Sequence, residues 1–289
     1  MTARSILAKI FQHEPLNFTL TNRIPRRLAT RLIGWLSRIE QPLVCRASIA
    51  VWRFFCNPDL SEAKKEKFAS LRDCFIRQLK EGARPINPDP NILVSPCDAI
   101  VGASGPIRGT DLLQVKNSSY SLPDLLSGDR DLTEFYVDGC YATLRLTAAM
   151  YHRFHAPHNL RVDQVRHIHG DTFNVNPATL AHIDRLFCRN ERVIIRTTLE
   201  KTGHVVTLVP VAAILVAGIR LRFLDLVMDP RYSTTIPCNS YFEKGQEMGW
   251  FEHGSTILVL APKGIALCEG ARPASTIRMG EDLMRVKGE

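Results

Sequence analysis

The sequence predicts an α+β chain: a helical, membrane-associating region over residues 1–85 and a β-rich domain over 86–289. Three observations carry this reading. Apolar residues recur at helical spacing between Arg23 and Lys80. Pro85, Pro88 and Pro90 then interrupt the pattern. Beyond them the apolar residues fall into short runs of strand length, separated by Gly and Pro.

Taken in order, residues 1 to 20 show no clear period. Between Arg23 and Glu40, Leu28, Leu32, Trp35, Leu36 and Ile39 share one side of a helical wheel, and Arg27, Arg31 and Arg38 share another. Pro25 suits the first turn of that helix. A second apolar stretch follows at Ile49, Val51, Trp52, Phe54 and Phe55. A basic helix bearing Trp fits the interface of a bilayer; the alternative is a helix packed on its own domain. Asp59-Leu60-Ser61-Glu62 reads as a cap with its reciprocal acid, opening a helix to about Lys80 with Phe68, Leu71, Phe75 and Leu79 inward. In the β-rich part, strands are expected at 92–94, 100–101, 142–146, 193–198, 205–211, 213–216 and 219–223, with one helix at 122–126.

Composition narrows the classes. Hydrophobic residues make up 45% and charged residues 23%, enough for a sizeable core. The net charge of +8, from 37 basic and 29 acidic residues, favours anionic partners. The eight cysteines stand singly with no CxxC pair, which argues against a zinc ribbon or thioredoxin-type site. No signal peptide with an apolar core is visible, so reduced thiols are expected. No apolar run reaches the roughly 18 residues of a spanning helix, so any membrane contact is expected to be peripheral.

The chemistry centres on KGQEMGWFEHGSTIL, residues 244–258. Gly254 has no side chain to block the approach of Ser255 Oγ to its carbonyl. The expectation is that the chain cuts itself between Gly254 and Ser255 and turns the serine into a reactive carbonyl. A Gly-Ser-Thr tripeptide alone is ordinary turn chemistry. In Tyr151-His152-Arg153-Phe154-His155-Ala156-Pro157, two histidines stand three apart. They fit a metal pair, as in a zinc hydrolase, a hydrogen-bonded structural pair, or acid/base work. Asp98, in SPCDA just after an apolar strand, is either a turn former or a carboxylate that orients a histidine.

Asp98 in SPCDA, YHRFHAP at 151–157, GDTFNVNP at 170–177, LFCRNERV at 186–193 and KGQEMGWFEHGST at 244–256 come in the order seen in phosphatidylserine decarboxylases. FIRQL at 75–79, RPI at 84–86, and QVK at 114–116 with YSL at 120–122 also resemble that family, most closely its bacterial membrane-bound branch. The resemblance spans roughly residues 60 to 265. Ala99 and Asn117 stand where the family commonly has glycine. The resemblance implies a pyruvoyl enzyme that matures by self-cleavage at Ser255, without a metal. Asp98, His155 and Ser255 would form the processing triad, and His152 would serve the decarboxylation step. The pyruvoyl group, made from Ser255, would convert phosphatidylserine to phosphatidylethanolamine and carbon dioxide through a Schiff base. The implied partners are the lipid substrate, an anionic membrane surface on the cytoplasmic side of the cell membrane, and the two cleaved pieces, 1–254 and 255–289. A homodimer is compatible with the sequence, and no nucleic-acid partner is expected. The competing readings are an uncleaved, non-enzymatic lipid-surface protein and a zinc hydrolase built on His152 and His155.

Overall fold

The computed structural model describes residues 26–115, 118–213, 218–224, 233–252 and 255–287, with side chains for all of these except 26–31 and 115. Among the described residues, three helices come first: α1 (Arg26–Ser37), α2 (Pro42–Cys56) and α3 (Leu71–Phe75). Helix α2 starts where Gln41 accepts a hydrogen bond from the Val44 N–H, with Pro42 in its first turn. It ends at Asn57, which takes the left-handed conformation at φ 49°.

The apolar stripe expected on α1 faces outward. Gly34 and Ser37 are buried, while Leu32 and Trp35 are 59% and 64% exposed. On α2, Leu43, Val51, Phe54 and Phe55 are also exposed, and Trp52 rests on Phe75 at 5.7 Å. Pro25 and the side chains of Leu28, Arg27 and Arg31 lie outside the described residues.

The long helix expected from Asp59 to Lys80 is not formed. Asp59 instead accepts hydrogen bonds from the backbone N–H and hydroxyl of Ser61, a local turn that competes with helix. Ala63 bridges to Leu79, and only the short α3 survives, capped by Ser70.

Beyond Pro90 the chain is β-rich. The strands are β1 (Ile92–Val94), β2 (Ala99–Pro106), β3 (Asp111–Val115), β4 (Ser118–Ser121), β5 (Cys140–Leu146), β6 (Arg153–His155), β7 (Leu160–Ile168) and β8 (Arg192–Leu199). They continue with β9 (Val205–Ala212), β10 (Ile219–Leu221), β11 (Thr234–Phe242), β12 (Glu247–Phe251), β13 (Ser255–Ala261), β14 (Ile265–Leu267), β15 (Thr276–Ile277) and β16 (Asp282–Val286). The helix expected near Leu122 is present as α4 (Leu122–Leu125), and α5 (Arg130–Glu134), α6 (Pro177–His182) and α7 (Leu186–Arg189) fill other connections. Of the strand expected at 213–216, only residue 213 is described.

An eight-stranded sheet runs in the order β11-β7-β8-β9-β13-β5-β2-β15. Its interior strand β13 is buried at every residue, as its unbroken apolar run requires. Ser255 opens that strand, opposite Leu146 of β5 and Ala212 of β9. A second sheet, β10-β12-β6, carries the chain into Ser255 from the other side. Gly249 allows this sheet to close: a Cβ there would lie 2.1 Å from the Arg220 carbonyl oxygen and 2.7 Å from the Phe154 ring. A third sheet, β1-β16-β14, ties the end of the chain to the start of the β-rich part.

Candidate active site

Three residues, 252–254, separate the end of β12 from Ser255. His253 and Gly254 lie outside the described residues, so the geometry of the 254–255 bond is not described. Ser255 is fully buried, and its Oγ has no hydrogen-bond partner among the described residues. On the other side, the Phe251 N–H donates to the His152 carbonyl at 2.9 Å.

His152 immediately precedes β6 and His155 ends it; β6 pairs with β12 in the register His155↔Glu247 and Arg153↔Trp250. The sequence left helix or turn open for this pair; β-pairing to the segment before Ser255 decides the conformation. His155 Nδ1 lies 2.8 Å from the Gly245 carbonyl oxygen, and Nε2 lies 3.0 Å from the Tyr151 hydroxyl. A carbonyl only accepts, so Nδ1 carries the proton and Nε2 accepts from Tyr151. Burial favours the neutral ring and lowers its pKa from 6.5, and this outweighs the opposing pull of the Gly245 carbonyl. Gly245 sits at φ +83°, a turn conformation that glycine adopts without strain and that aims its carbonyl at the imidazole. Burial likewise raises the pKa of Tyr151, which keeps the phenol a donor.

His152 is fully buried. Its Nδ1 donates to the Met150 carbonyl at 2.8 Å, and its ring packs on Phe75 at 4.0 Å. The two rings therefore have different surroundings: one carries a hydroxyl on its lone pair, the other stacks on an aromatic.

The Asp98 carboxylate is held by Arg84, with Nη2 at 2.6 Å and Nε at 2.9 Å, and by the Met279 N–H at 2.9 Å. Asp98 and His155 are joined through backbone, since the His155 N–H donates to the Pro96 carbonyl at 2.8 Å. Of the expected triad, Asp98 and His155 are thus linked through Pro96, with the Asp98 carboxylate turned to Arg84, while Ser255 enters the main sheet beside Leu146 and Ala212. Hydrogen bonding to Asp98 raises the Arg84 pKa further, and Glu62 accepts from the same guanidinium at 2.8 Å.

Four residues of the site were not singled out from the sequence. Tyr151 and Arg84 lie inside motifs quoted above, but nothing in the sequence pairs them with a histidine or an aspartate. Glu252 is buried and takes Arg72 at 2.5 Å and Arg38 at 3.0 Å. Burial raises its pKa, but the two arginines outweigh this and hold the carboxyl below its ordinary 4.5. Arg77 is buried, with carbonyls as its hydrogen-bond acceptors, including those of Ala149 at 3.2 Å and Met150 at 3.4 Å. Its hidden charge gave no sequence signal beyond the FIRQL motif. Among the described residues, no group of three or more His, Cys, Asp or Glu comes together as a metal cluster.

The family model for phosphatidylserine decarboxylase matches residues 71–285. The phosphatidylserine decarboxylase proenzyme of Photobacterium profundum is 37% identical over 273 residues, covering 89% of this chain and 92% of that protein. The Erwinia tasmaniensis proenzyme is 35% identical, covering 91% and 92%, and that of a Shewanella species is 32% identical, covering 96% and 98%. Both the span of the match and the level of identity show that the chain belongs to the phosphatidylserine decarboxylase family.

Proposed function

We propose that the chain is a proenzyme that cuts itself between Gly254 and Ser255 and then decarboxylates phosphatidylserine to phosphatidylethanolamine and carbon dioxide. The placement of Ser255 carries this reading: a buried hydroxyl, without a partner among the described residues, at the first position of an interior strand. Burying an unpaired hydroxyl costs about 1–3 kcal/mol. Self-cleavage gives that oxygen a use. Ser255 Oγ attacks the Gly254 carbonyl and loses its proton to a base. The peptide C–N bond breaks, and an ester forms. Loss of the Ser255 α-proton then breaks the Cβ–Oγ bond, and the oxygen leaves in the new Gly254 carboxylate. Water hydrolyses the remaining dehydroalanine to a pyruvoyl group and ammonia.

The orphaned Oγ fits a group whose formation removes that oxygen. Ser255 would carry the pyruvoyl, which when present supplies a ketone that takes up the substrate amine and accepts the electron pair left by carbon dioxide. His155 is the base in this reading. Its Nδ1 proton is committed to Gly245, so Nε2 accepts the proton directly or through the Tyr151 hydroxyl. Asp98, gripped by Arg84, would fix the segment whose Pro96 carbonyl holds the His155 backbone. We assign His152 to the substrate carboxylate or to protonating the product carbon.

Residues 1–85 would be the membrane-associating region, and 86–289 the catalytic domain. The exposed Leu32, Trp35, Phe54 and Phe55 support peripheral docking at the cytoplasmic side of the cell membrane. After cleavage, residues 255–289 would stay bound, since they contribute β13 and β15 to the main sheet and β14 and β16 to another. The test is Ser255→Ala: it should remain one full-length chain and release no carbon dioxide from phosphatidylserine vesicles. Cleavage or turnover by that variant would reject the reading.

A further inference from the structure

Glu252 lies two residues before Gly254, and its carboxylate is only 1% exposed. Three guanidinium groups from separate parts of the chain converge on it. Arg72 of α3 donates to Oε1 through Nη2 at 2.5 Å and Nε at 3.1 Å. Arg38, one residue beyond α1, donates to Oε2 at 3.0 Å. Arg220 of β10 brings Nε within 3.6 Å of Oε1. The Glu252 N–H also donates to the Gly218 carbonyl at 3.2 Å.

One carboxylate does not need three arginines for neutrality. A forked pair with Arg72 alone satisfies one oxygen and fixes its direction. Arg38 anchors the second oxygen and ties the segment to the end of α1, while Arg220 adds charge beside the first. Among the described residues, the bond from Arg38 is the one hydrogen bond that joins 26–56 to the β-rich part. On the far side, Ser255 is fixed by pairing to β5 and β9. The clamp therefore leaves only residues 253 and 254 between two anchored points.

We propose that Glu252 is a positioning residue for self-cleavage: its arginine clamp sets the approach of the 254–255 bond to the Ser255 hydroxyl and couples that geometry to the seating of α1. This rests on the self-cleavage reading above. Small misplacements of reacting atoms cost roughly a hundredfold in rate, so the two linking residues need a fixed start.

The experiment follows cleavage of freshly synthesised full-length chain on denaturing gels. Parallel melts use each substitution in the Ser255→Ala background. Glu252→Gln keeps the shape but removes the charge; we expect cleavage slowed by roughly tenfold to a hundredfold, out of proportion to any change in the melt. Arg38→Ala, on a half-exposed side chain, slows cleavage less. Arg72→Lys recovers part of the rate lost in Arg72→Ala, a rescue that bulk destabilisation does not produce. If Glu252→Gln fails to fold, Arg38→Ala decides: slowed cleavage supports the clamp, and the wild-type rate overturns it. A wild-type chain that splits while Glu252→Gln splits equally fast overturns the clamp alone. A wild-type chain that never splits overturns both the clamp and the self-cleavage reading.

Discussion

The Tyr151 hydroxyl lies 3.0 Å from His155 Nε2, the one ring nitrogen not committed to a carbonyl. A donor on that lone pair stabilises the neutral ring and tempers its basicity. Tyr151→Phe removes the donor, so the His155 pKa should rise. The acid limb of the self-cleavage rate should then move to higher pH than in the wild type. Stability should fall by about 1 kcal/mol, the usual worth of such a bond. A cleavage–pH profile checks the first outcome, and urea unfolding the second.

Burial lowers the His155 pKa below 6.5 in the folded chain. The unfolded chain then binds the proton more readily, so stability rises with pH across this window. The contribution is complete above the unfolded value of about 6.5 and is lost as pH falls toward the folded value. Urea unfolding of the uncleaved Ser255→Ala chain between pH 5 and 7 should show this slope. Adding His155→Gln should flatten it.

Arg84 and Asp98 form a buried ion pair, with side chains 7% and 11% exposed. Removing one partner strands the other in a poorly solvated site, at a cost of about 3–5 kcal/mol. Arg84→Ala should therefore destabilise the Ser255→Ala chain by that order and also slow cleavage in the otherwise native chain. Thermal melts and gel-based cleavage rates measure the two effects. A silent Arg84→Ala would mean that Asp98 acts without its arginine.

Phe54 and Phe55 of α2 stand 46% and 55% exposed, edge to face at 5.2 Å. Replacing both with Ser should change stability by no more than about 0.5 kcal/mol each, as for surface positions generally. Binding to vesicles containing phosphatidylserine should weaken severalfold. Cosedimentation reads this directly.

Strands were legible where an apolar run was long enough to be buried on both faces, as in Val205 to Val211. The stripe on α1 was legible too, but its direction was not. Wheel geometry is the same for a helix facing a core and one facing outward, and only tertiary packing showed Trp35 exposed. The Asp59 cap misled because Ser61 offered its side chain a nearer partner than a helix would. At the site, motif order pointed to His152, His155, Asp98 and Ser255. Some partners at the site are far away in sequence: Gly245 lies 90 residues from His155, and Arg72 lies 180 from Glu252. Pairings across such distances leave no local pattern, so Gly245 and the arginines on Glu252 became visible only in the fold; Tyr151 and Arg84 stand 4 and 14 residues from His155 and Asp98, but no periodicity marks them as partners.

Intact-mass measurement of the purified wild-type chain under denaturing conditions tests the central claim most directly. The account predicts two polypeptides, one ending at Gly254 and one of 289 − 255 + 1 = 35 residues, the shorter lighter by one ammonia than a fragment that begins with serine. A single chain of 289 residues that still releases carbon dioxide from phosphatidylserine would contradict it.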